Sequence, residues 1–189
     1  MNTFLRLKHW QLFLLGFILP VICQPFALAA LTKFHNAALG MGLFLLMMLL
    51  CLIPLFSWFY ALGTNLYPKL PEMANMKLKK FKIFWLIPVL YIGTIMIFIG
   101  TKFVLGIEAL NIPGAVVLIV VLLHLFSMFC IFYCLYFVAK SLKAVELERP
   151  VSFSDYAGEF FLIWFFPIGV WFIQPRINSI FSDRAPEAY

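Results

Sequence analysis

Four apolar stretches, each longer than 20 residues, occupy most of this chain of 189 residues. They cover residues 10–31, 37–62, 83–105 and 112–139, and Lys102 carries the only charge inside them. A helix needs roughly 20 apolar residues to cross a hydrocarbon core of about 30 Å. Because lipid offers no partners to backbone groups, such stretches become helices. The sequence therefore predicts an all-α, polytopic helical membrane protein with four transmembrane helices.

The composition excludes the soluble classes of protein. Hydrophobic residues make up 65% of the chain and charged residues 12%, whereas a soluble domain has about a quarter charged. Outer-membrane barrels show segments of about ten residues with alternating polarity, and the stretches here are longer and continuous. No polar segment is long enough to form a second domain. We therefore expect a single integral membrane domain over residues 1–189.

A shorter apolar segment, residues 160–173, lies near the C-terminus. As a helix it measures about 21 Å, which is less than the hydrocarbon thickness. Pro167 and Gly169 suit the apex of a helical hairpin, although both residue types also occur in ordinary membrane helices. The segment is predicted to be re-entrant or interfacial, with a short fifth span as the alternative. Glu159 and Arg176 flank it and would pair only if it folds back.

The distribution of lysine and arginine predicts the orientation. With the N-terminus inside, ten of these residues fall in the inner segments, and only Lys33 and Lys102 lie in the outer loops. Cytoplasmic loops are enriched in positive charge, so the N-terminus is predicted to be cytoplasmic in a cell membrane, such as a bacterial inner membrane. The first stretch also resembles a cleaved secretory signal ending at residues 27–29, but its length favours an uncleaved helix.

A basic segment, Met73 to Lys82, follows the second stretch. Its lysines are Lys77, Lys79, Lys80 and Lys82. If this segment is a helix, it would lie on the cytoplasmic surface with these lysines toward anionic lipid headgroups. The alternative is that they only set the topology. Because the basic residues lie between apolar stretches, the net charge of +6 does not indicate nucleic-acid binding.

The fourth stretch contains the polar residues His124, Ser127 and Cys134 at helical spacing. They are predicted to share one face that turns toward the bundle, because polar groups in a membrane avoid lipid. His124 is a candidate proton relay or ligand contact. Alternatively, it forms a structural hydrogen bond to a neighbouring helix.

Gln24 lies between Pro20 and Pro25 in the first stretch. Each proline leaves a backbone carbonyl without its helical donor, and Gln24 is predicted to donate to one of these carbonyls. Broken helices bind substrate ions in some transporters, whereas a simple kink is the commoner result of a proline.

No catalytic constellation and no metal-ligand spacing occurs in the sequence, so no catalytic residue, metal or cofactor is predicted. The first functional hypothesis is a non-catalytic accessory or regulatory subunit whose apolar helix faces dock other membrane proteins or a second copy. The alternative is a small transporter or an oligomeric pore lined by the His124 face. A membrane-embedded enzyme is a minor third alternative.

Overall fold

The structure is a computed structural model that describes residues 3–33, 37–104 and 113–182. Its α-helices are α1 (Thr3–Arg6), α2 (His9–Phe13), α3 (Leu19–Thr32), α4 (Ala37–Leu66), α5 (Leu78–Val104), α6 (Gly114–Leu147), α7 (Phe153–Trp164) and α8 (Phe166–Phe181). A π-helical turn, Leu14–Ile18, joins α2 to α3, and a 3-10 turn, Tyr67–Lys69, follows α4. These described ranges contain no β-strand, so the predicted all-α class is confirmed.

Among the described residues, four segments are long and apolar enough to cross a membrane. They are His9–Ala30, Ala38–Lys69, Leu78–Lys102 and Gly114–Leu147. They correspond to the four predicted apolar stretches and indicate a membrane location.

The helices extend beyond the predicted apolar boundaries. Helix α5 begins at Leu78 instead of residue 83, and α6 continues to Leu147 instead of ending at residue 139. The prediction counted apolar residues, but lysine, glutamate and leucine are strong helix formers that continue a helix into polar surroundings. The predicted boundaries at residues 105 and 112 lie outside the described residues.

One end of the bundle contains a continuous core, and we call it the packed end. It comprises α1 and α2, residues 58–66 of α4, residues 78–84 of α5, residues 134–144 of α6, and α7 with α8. Phe81 and Phe137 stack there with ring centroids 4.6 Å apart, and both side chains are buried. Gly63 makes room for this pair, because a Cβ atom at that position would overlap the Phe81 ring.

The other end of the bundle is much less buried, and we call it the open end. It comprises α3, residues 38–57 of α4, residues 85–102 of α5 and residues 113–126 of α6. Small residues bring α3 against α4, where Ala27 and Ala30 are buried. Every residue from 113 to 126 is exposed, although most of these side chains are apolar. The open end therefore requires apolar surroundings.

Helices α7 and α8 form a hairpin, which we call the C-terminal hairpin. The break lies at Phe165, whose φ of −85° and ψ of 60° are not helical. Pro167 then occupies the first turn of α8, where its missing N–H has no helical partner to lose. Gly169 faces Leu162 so closely that a Cβ atom would overlap the Leu162 carbonyl oxygen. The glycine therefore allows α8 to fold back on α7.

The apex of the C-terminal hairpin lies between the π-helical turn and α4. The Phe166 ring lies 5.5 Å from the Trp58 ring, edge to face. On its other side, a Cβ atom at Gly16 would lie 2.8 Å from Phe166 Cε1. Gly16 belongs to the π-helical turn, so the widened turn and the absent side chain together accommodate the apex.

Candidate functional site

Four charged side chains from three helices meet at the packed end. Arg176 of α8 donates from Nε to Glu146 Oε1 over 2.6 Å and from Nη2 to Glu159 Oε1 over 2.8 Å. Its Nη2 also donates to Glu146 Oε2. Lys143 Nζ lies 3.1 Å from Glu159 Oε1 and 3.7 Å from Glu146 Oε2. We call Lys143, Glu146, Glu159 and Arg176 the ion-pair network.

The ion-pair network balances its own charge. Glu159 is the most enclosed member, with 8% of its side chain exposed, whereas Arg176 is 31% exposed. A carboxylate buried without partners would be strongly unfavourable, and two cations compensate Glu159 here. Both carboxylates already accept hydrogen bonds from cations, so neither is a free general base. The arrangement suits a structural connection between α6, α7 and α8.

For residues 160–173, the sequence left open a re-entrant or interfacial segment and a short fifth span. The contact between Glu159 and Arg176 supports the first of these. The two side chains meet because α8 runs back along α7, as the hairpin alternative requires. Lys143 and Glu146 were not predicted to take part in this contact. Their spacing of three residues on one helix was the available signal, since such residues share a helix face.

A second polar cluster surrounds Gln174, whose side chain is fully buried. Trp58 Nε1 donates to Gln174 Oε1 over 2.8 Å. Gln174 Nε2 donates to the backbone carbonyls of Leu7 and Phe4 over 2.8 and 3.1 Å. Asn178 Nδ2 also donates to the Leu7 carbonyl, over 3.3 Å. We call Gln174 and Asn178 the amide clamp.

The amide clamp satisfies a break in the first helix. Helix α1 ends at Arg6 and α2 begins at His9, so the helical hydrogen-bond ladder is interrupted between them. The amide clamp donates to the carbonyls of Phe4 and Leu7, which precede this interruption. On the other side of the break, the Lys8 N–H donates to Gln11 Oε1 over 2.8 Å. Gln174 was not predicted, although a glutamine next to a proline in an apolar segment is the same signal that indicated Gln24.

Gln24 itself is placed differently from the prediction. It is exposed and lines a groove of about 310 Å³ between α3 and α4. Within the described ranges its side chain forms no hydrogen bond, so the predicted donation to a proline-freed carbonyl is not seen. Gln24 and Ala27 both line this groove, but only Ala27 is buried, so Gln24 lies on the exposed side of the groove.

The predicted polar face of α6 is divided between the two ends of the bundle. Ser127 and Cys134 are 3% and 2% exposed, and Cys130 continues their buried line. His124 is exposed, and its ring lies 5.8 Å from the Tyr91 ring of α5. His124 is therefore beside α5 but is not buried with Ser127 and Cys134. Helical spacing predicts a shared face, but this part of α6 belongs to the open end, where no face is buried.

The four predicted headgroup lysines lie at the start of α5 and just before it. Lys77 precedes the helix, and Lys79, Lys80 and Lys82 occupy its first turns. The predicted surface helix over Met73 to Lys82 is therefore wrong, because helical structure begins only at Leu78. In the described part of the chain none of the four lysines has a carboxylate within 4.0 Å, whereas Lys143, Arg149 and Arg176 are all paired.

Lys80 instead lies over aromatic rings. Its Nζ is 5.1 Å from the Tyr133 ring centroid and 5.3 Å from that of Phe84. Lys140 lies nearby on α6, with Nζ 3.2 Å from the Tyr136 hydroxyl. Such cation–π contacts orient a lysine without neutralising its charge.

The described residues contain no group of three or more histidine, cysteine, aspartate or glutamate side chains that could hold a metal ion. Every fully buried polar side-chain atom that the structure describes has a hydrogen-bond partner. No protein-family model matches the chain, and neither a curated protein nor a solved structure matches it.

Proposed function

We propose that the chain is a non-catalytic accessory or regulatory membrane protein whose open end docks other membrane proteins. The observation that carries this proposal is the exposure of residues 113–126 on all sides of α6. In the second half of the same helix, buried residues recur at helical spacing, from Ser127 to Ala144. The first half has no such buried face, so it offers most of its helical surface to a partner.

Packing explains why a partner helix suits this surface. Helices associate in membranes through van der Waals packing and interhelical hydrogen bonds, because lipid already solvates apolar side chains. The exposed half of α6 is rich in valine, leucine and isoleucine, including Val117, Leu118 and Leu122. These bulky side chains can interdigitate with those of a partner helix.

We further propose that the packed end lies on the cytoplasmic side of a cell membrane. Most lysine and arginine residues belong to that end, as the positive-inside rule requires. Helix α7 has 12 residues and measures about 18 Å, too short to cross the membrane alone. The C-terminal hairpin would then enter the bilayer from the cytoplasmic side and return, with the unpaired lysines of α5 near anionic headgroups.

Labelling of a cysteine introduced at Ser182 tests this topology. In intact cells, a membrane-impermeant thiol reagent should leave Ser182→Cys unlabelled, and permeabilised cells should show labelling. The native cysteines are replaced by alanine first, and the cysteine-free protein is the control. Labelling of intact cells would contradict the re-entrant placement.

Site-specific photo-crosslinking tests the docking function. A photoreactive amino acid replaces Leu122 of α6, which is 57% exposed, and in a matched control replaces Leu90 of α5, which is 60% exposed. A docked partner should give one discrete protein adduct from position 122 and a much weaker one from position 90. Adducts with lipid alone at both positions would contradict the docking function.

The transporter or pore alternative is supported by one observation. His124 is exposed on the surface of α6, so a path lined by His124 would lie between copies of the chain. In that case the crosslink from position 122 would join two copies. His124→Phe would then reduce ion flux into reconstituted vesicles, whereas an accessory subunit would show the same flux with either residue.

A further inference from the structure

A narrow apolar groove of about 250 Å³ runs between α4 and α5 at the open end. Its α5 wall extends from Trp85 to Met96, which is about 16 Å at helical rise. One leaflet of the hydrocarbon core is about 15 Å deep, half of roughly 30 Å. Gly93 lies in this wall, and a Cβ atom there would have no neighbour within 4 Å. The groove therefore has the length of an acyl chain in one leaflet.

The groove suits a slender occupant. Its volume of about 250 Å³ is distributed along about 16 Å of α5. A single extended hydrocarbon chain is an apolar occupant with these proportions.

One end of the groove is amphipathic. Trp85 Nε1 donates to the Phe56 carbonyl over 2.9 Å, and the Trp85 ring lies 4.8 Å from the Tyr60 ring. Tryptophan and tyrosine are enriched where the hydrocarbon meets the headgroups. Ser57 lines the groove at this end, and its hydroxyl forms no hydrogen bond among the described residues. It is available to a polar group of a ligand.

A lysine stands just beyond that end. Lys82 lies one turn before Trp85 and shares a helix face with Val89, Gly93 and Met96. It is exposed, and in the part of the chain that the structure describes it has no carboxylate within 4.0 Å. Lys80 lies on the opposite face of α5, over the Tyr133 ring. Lys82 is therefore the cation aligned with the groove.

We propose that this groove binds one anionic glycerophospholipid. Its phosphate lies at Lys82, its glycerol esters lie beside Ser57 and Trp85, and one acyl chain runs over Gly93 toward Met96. In the lipid, the order of groups is phosphate, ester and hydrocarbon. Along the groove, the groups that would contact them follow in the same order, as Lys82, the Ser57 hydroxyl and the apolar wall. This site goes beyond the docking function, because it uses a different surface and requires only that the protein lies in a membrane.

Native mass spectrometry of the detergent-purified protein tests the site. The probes are dioleoylphosphatidylglycerol and dioleoylphosphatidylcholine in equal amounts. One phosphatidylglycerol should be retained per chain, in preference to phosphatidylcholine. Lys82→Gln should weaken its retention about fivefold, as one lysine contributes near an anionic headgroup. Lys80→Gln is the matched control and should change it less than about twofold, since its charge is farther away and screened.

Two further measurements test the apolar groove and the requirement for an acyl chain separately. Gly93→Leu should fill the groove and abolish retention, whereas Gly42→Leu places the same side chain where no atom lies within 4 Å and should retain the lipid. Soluble glycerol 3-phosphate should not bind, because it lacks the acyl chain. Equal retention of the two lipids, or equal losses from Lys82→Gln and Lys80→Gln, would overturn the proposal. If Gly93→Leu fails to fold, the comparison of Lys82→Gln with Lys80→Gln still tests the proposal.

Discussion

The packed end and the open end are built from the same long helices, yet polar groups behave differently in them. At the packed end, Gln174 and Glu159 are buried, and each has several partners. At the open end, Gln24 and His124 are exposed. Buried polar groups are tolerated when they are fully hydrogen-bonded, and such groups then specify one arrangement. The packed end therefore specifies the fold, whereas the surface of the open end is available to lipid or to a partner.

The largest expected effect comes from adding a side chain where α8 contacts α7 in the C-terminal hairpin. Gly169→Ala places a Cβ atom on the Leu162 carbonyl oxygen, which is backbone and cannot rotate away. We expect a loss of about 3–4 kcal/mol in the free energy of unfolding, at the upper end of overpacking effects. Thermal unfolding in detergent, followed by size-exclusion chromatography, measures it.

The open end supplies the control for that change. A Cβ atom at Gly42 would have no neighbour within 4 Å, so Gly42→Ala should leave stability unchanged or raise it slightly. If both glycines tolerate alanine equally, the distinction between the two ends fails.

The next effect comes from the ion-pair network. Arg176→Ala leaves Glu146 and Glu159 with Lys143 as their shared cation. We expect a loss of about 2–3 kcal/mol, below the usual value for a buried pair because Arg176 is partly exposed. Arg149→Ala removes the exposed pair with Asp155 and should cost less than about 1 kcal/mol. Chemical denaturation of both variants makes the comparison, and equal losses would contradict a special role for Arg176.

The two glutamines give a smaller effect. Gln174→Leu leaves the Trp58 N–H and the Phe4 carbonyl without the partners they have now. We expect a loss of about 1–2 kcal/mol and faster amide exchange in residues 3–8. Gln24→Leu is the matched control, and its effect should lie within about 0.5 kcal/mol of zero. Unchanged exchange in Gln174→Leu would show that the amide clamp does not hold the N-terminal segment.

The smallest expected effect is on the loss of stability at low pH. The backbone N–H and hydroxyl of Ser152, with Arg149, lower the pKa of Asp155 to about 2. In the unfolded chain its pKa is about 3.9, so the unfolded state binds more protons between these values. The stability that Asp155 contributes is therefore complete above about pH 5 and is lost as pH falls toward 2. Unfolding midpoints at pH 5 and 2.5 should differ less in Asp155→Ala than in the unmodified protein.

Glu72→Ala controls for the general effect of acid, because Glu72 is exposed and has no ion pair within the described ranges. It should show the same difference between pH 5 and 2.5 as the unmodified protein. A smaller difference, equal to that of Asp155→Ala, would contradict the assignment.

Much of the architecture could be predicted from the sequence because lipid leaves a long apolar stretch few alternatives to a helix. The approximate positions of the four spans followed from that alone. Pro167 and Gly169 also pointed to a hairpin, but only the approach of Gly169 to Leu162 shows why a glycine is required there.

The candidate sites were harder to predict, for reasons that individual residues show. Gln174 acts on a carbonyl 167 positions earlier in the chain, and no local pattern encodes such a pairing. His124 had the spacing of a buried face, but such spacing predicts burial only where neighbouring helices cover that face. The lysines before and within α5 were visible in the sequence, whereas the separate faces of Lys80 and Lys82 became clear only once the neighbours of α5 were known.

The hydrogen bonds between Gln174 and the carbonyls of Phe4 and Leu7 have a consequence for biosynthesis. Phe4 and Leu7 can acquire this partner only after translation has passed residue 174. Until then, their carbonyls need other hydrogen-bond donors, such as water. A product of translation that stops before α8 would therefore lack the hydrogen bonds that join residues 4 and 7 to Gln174.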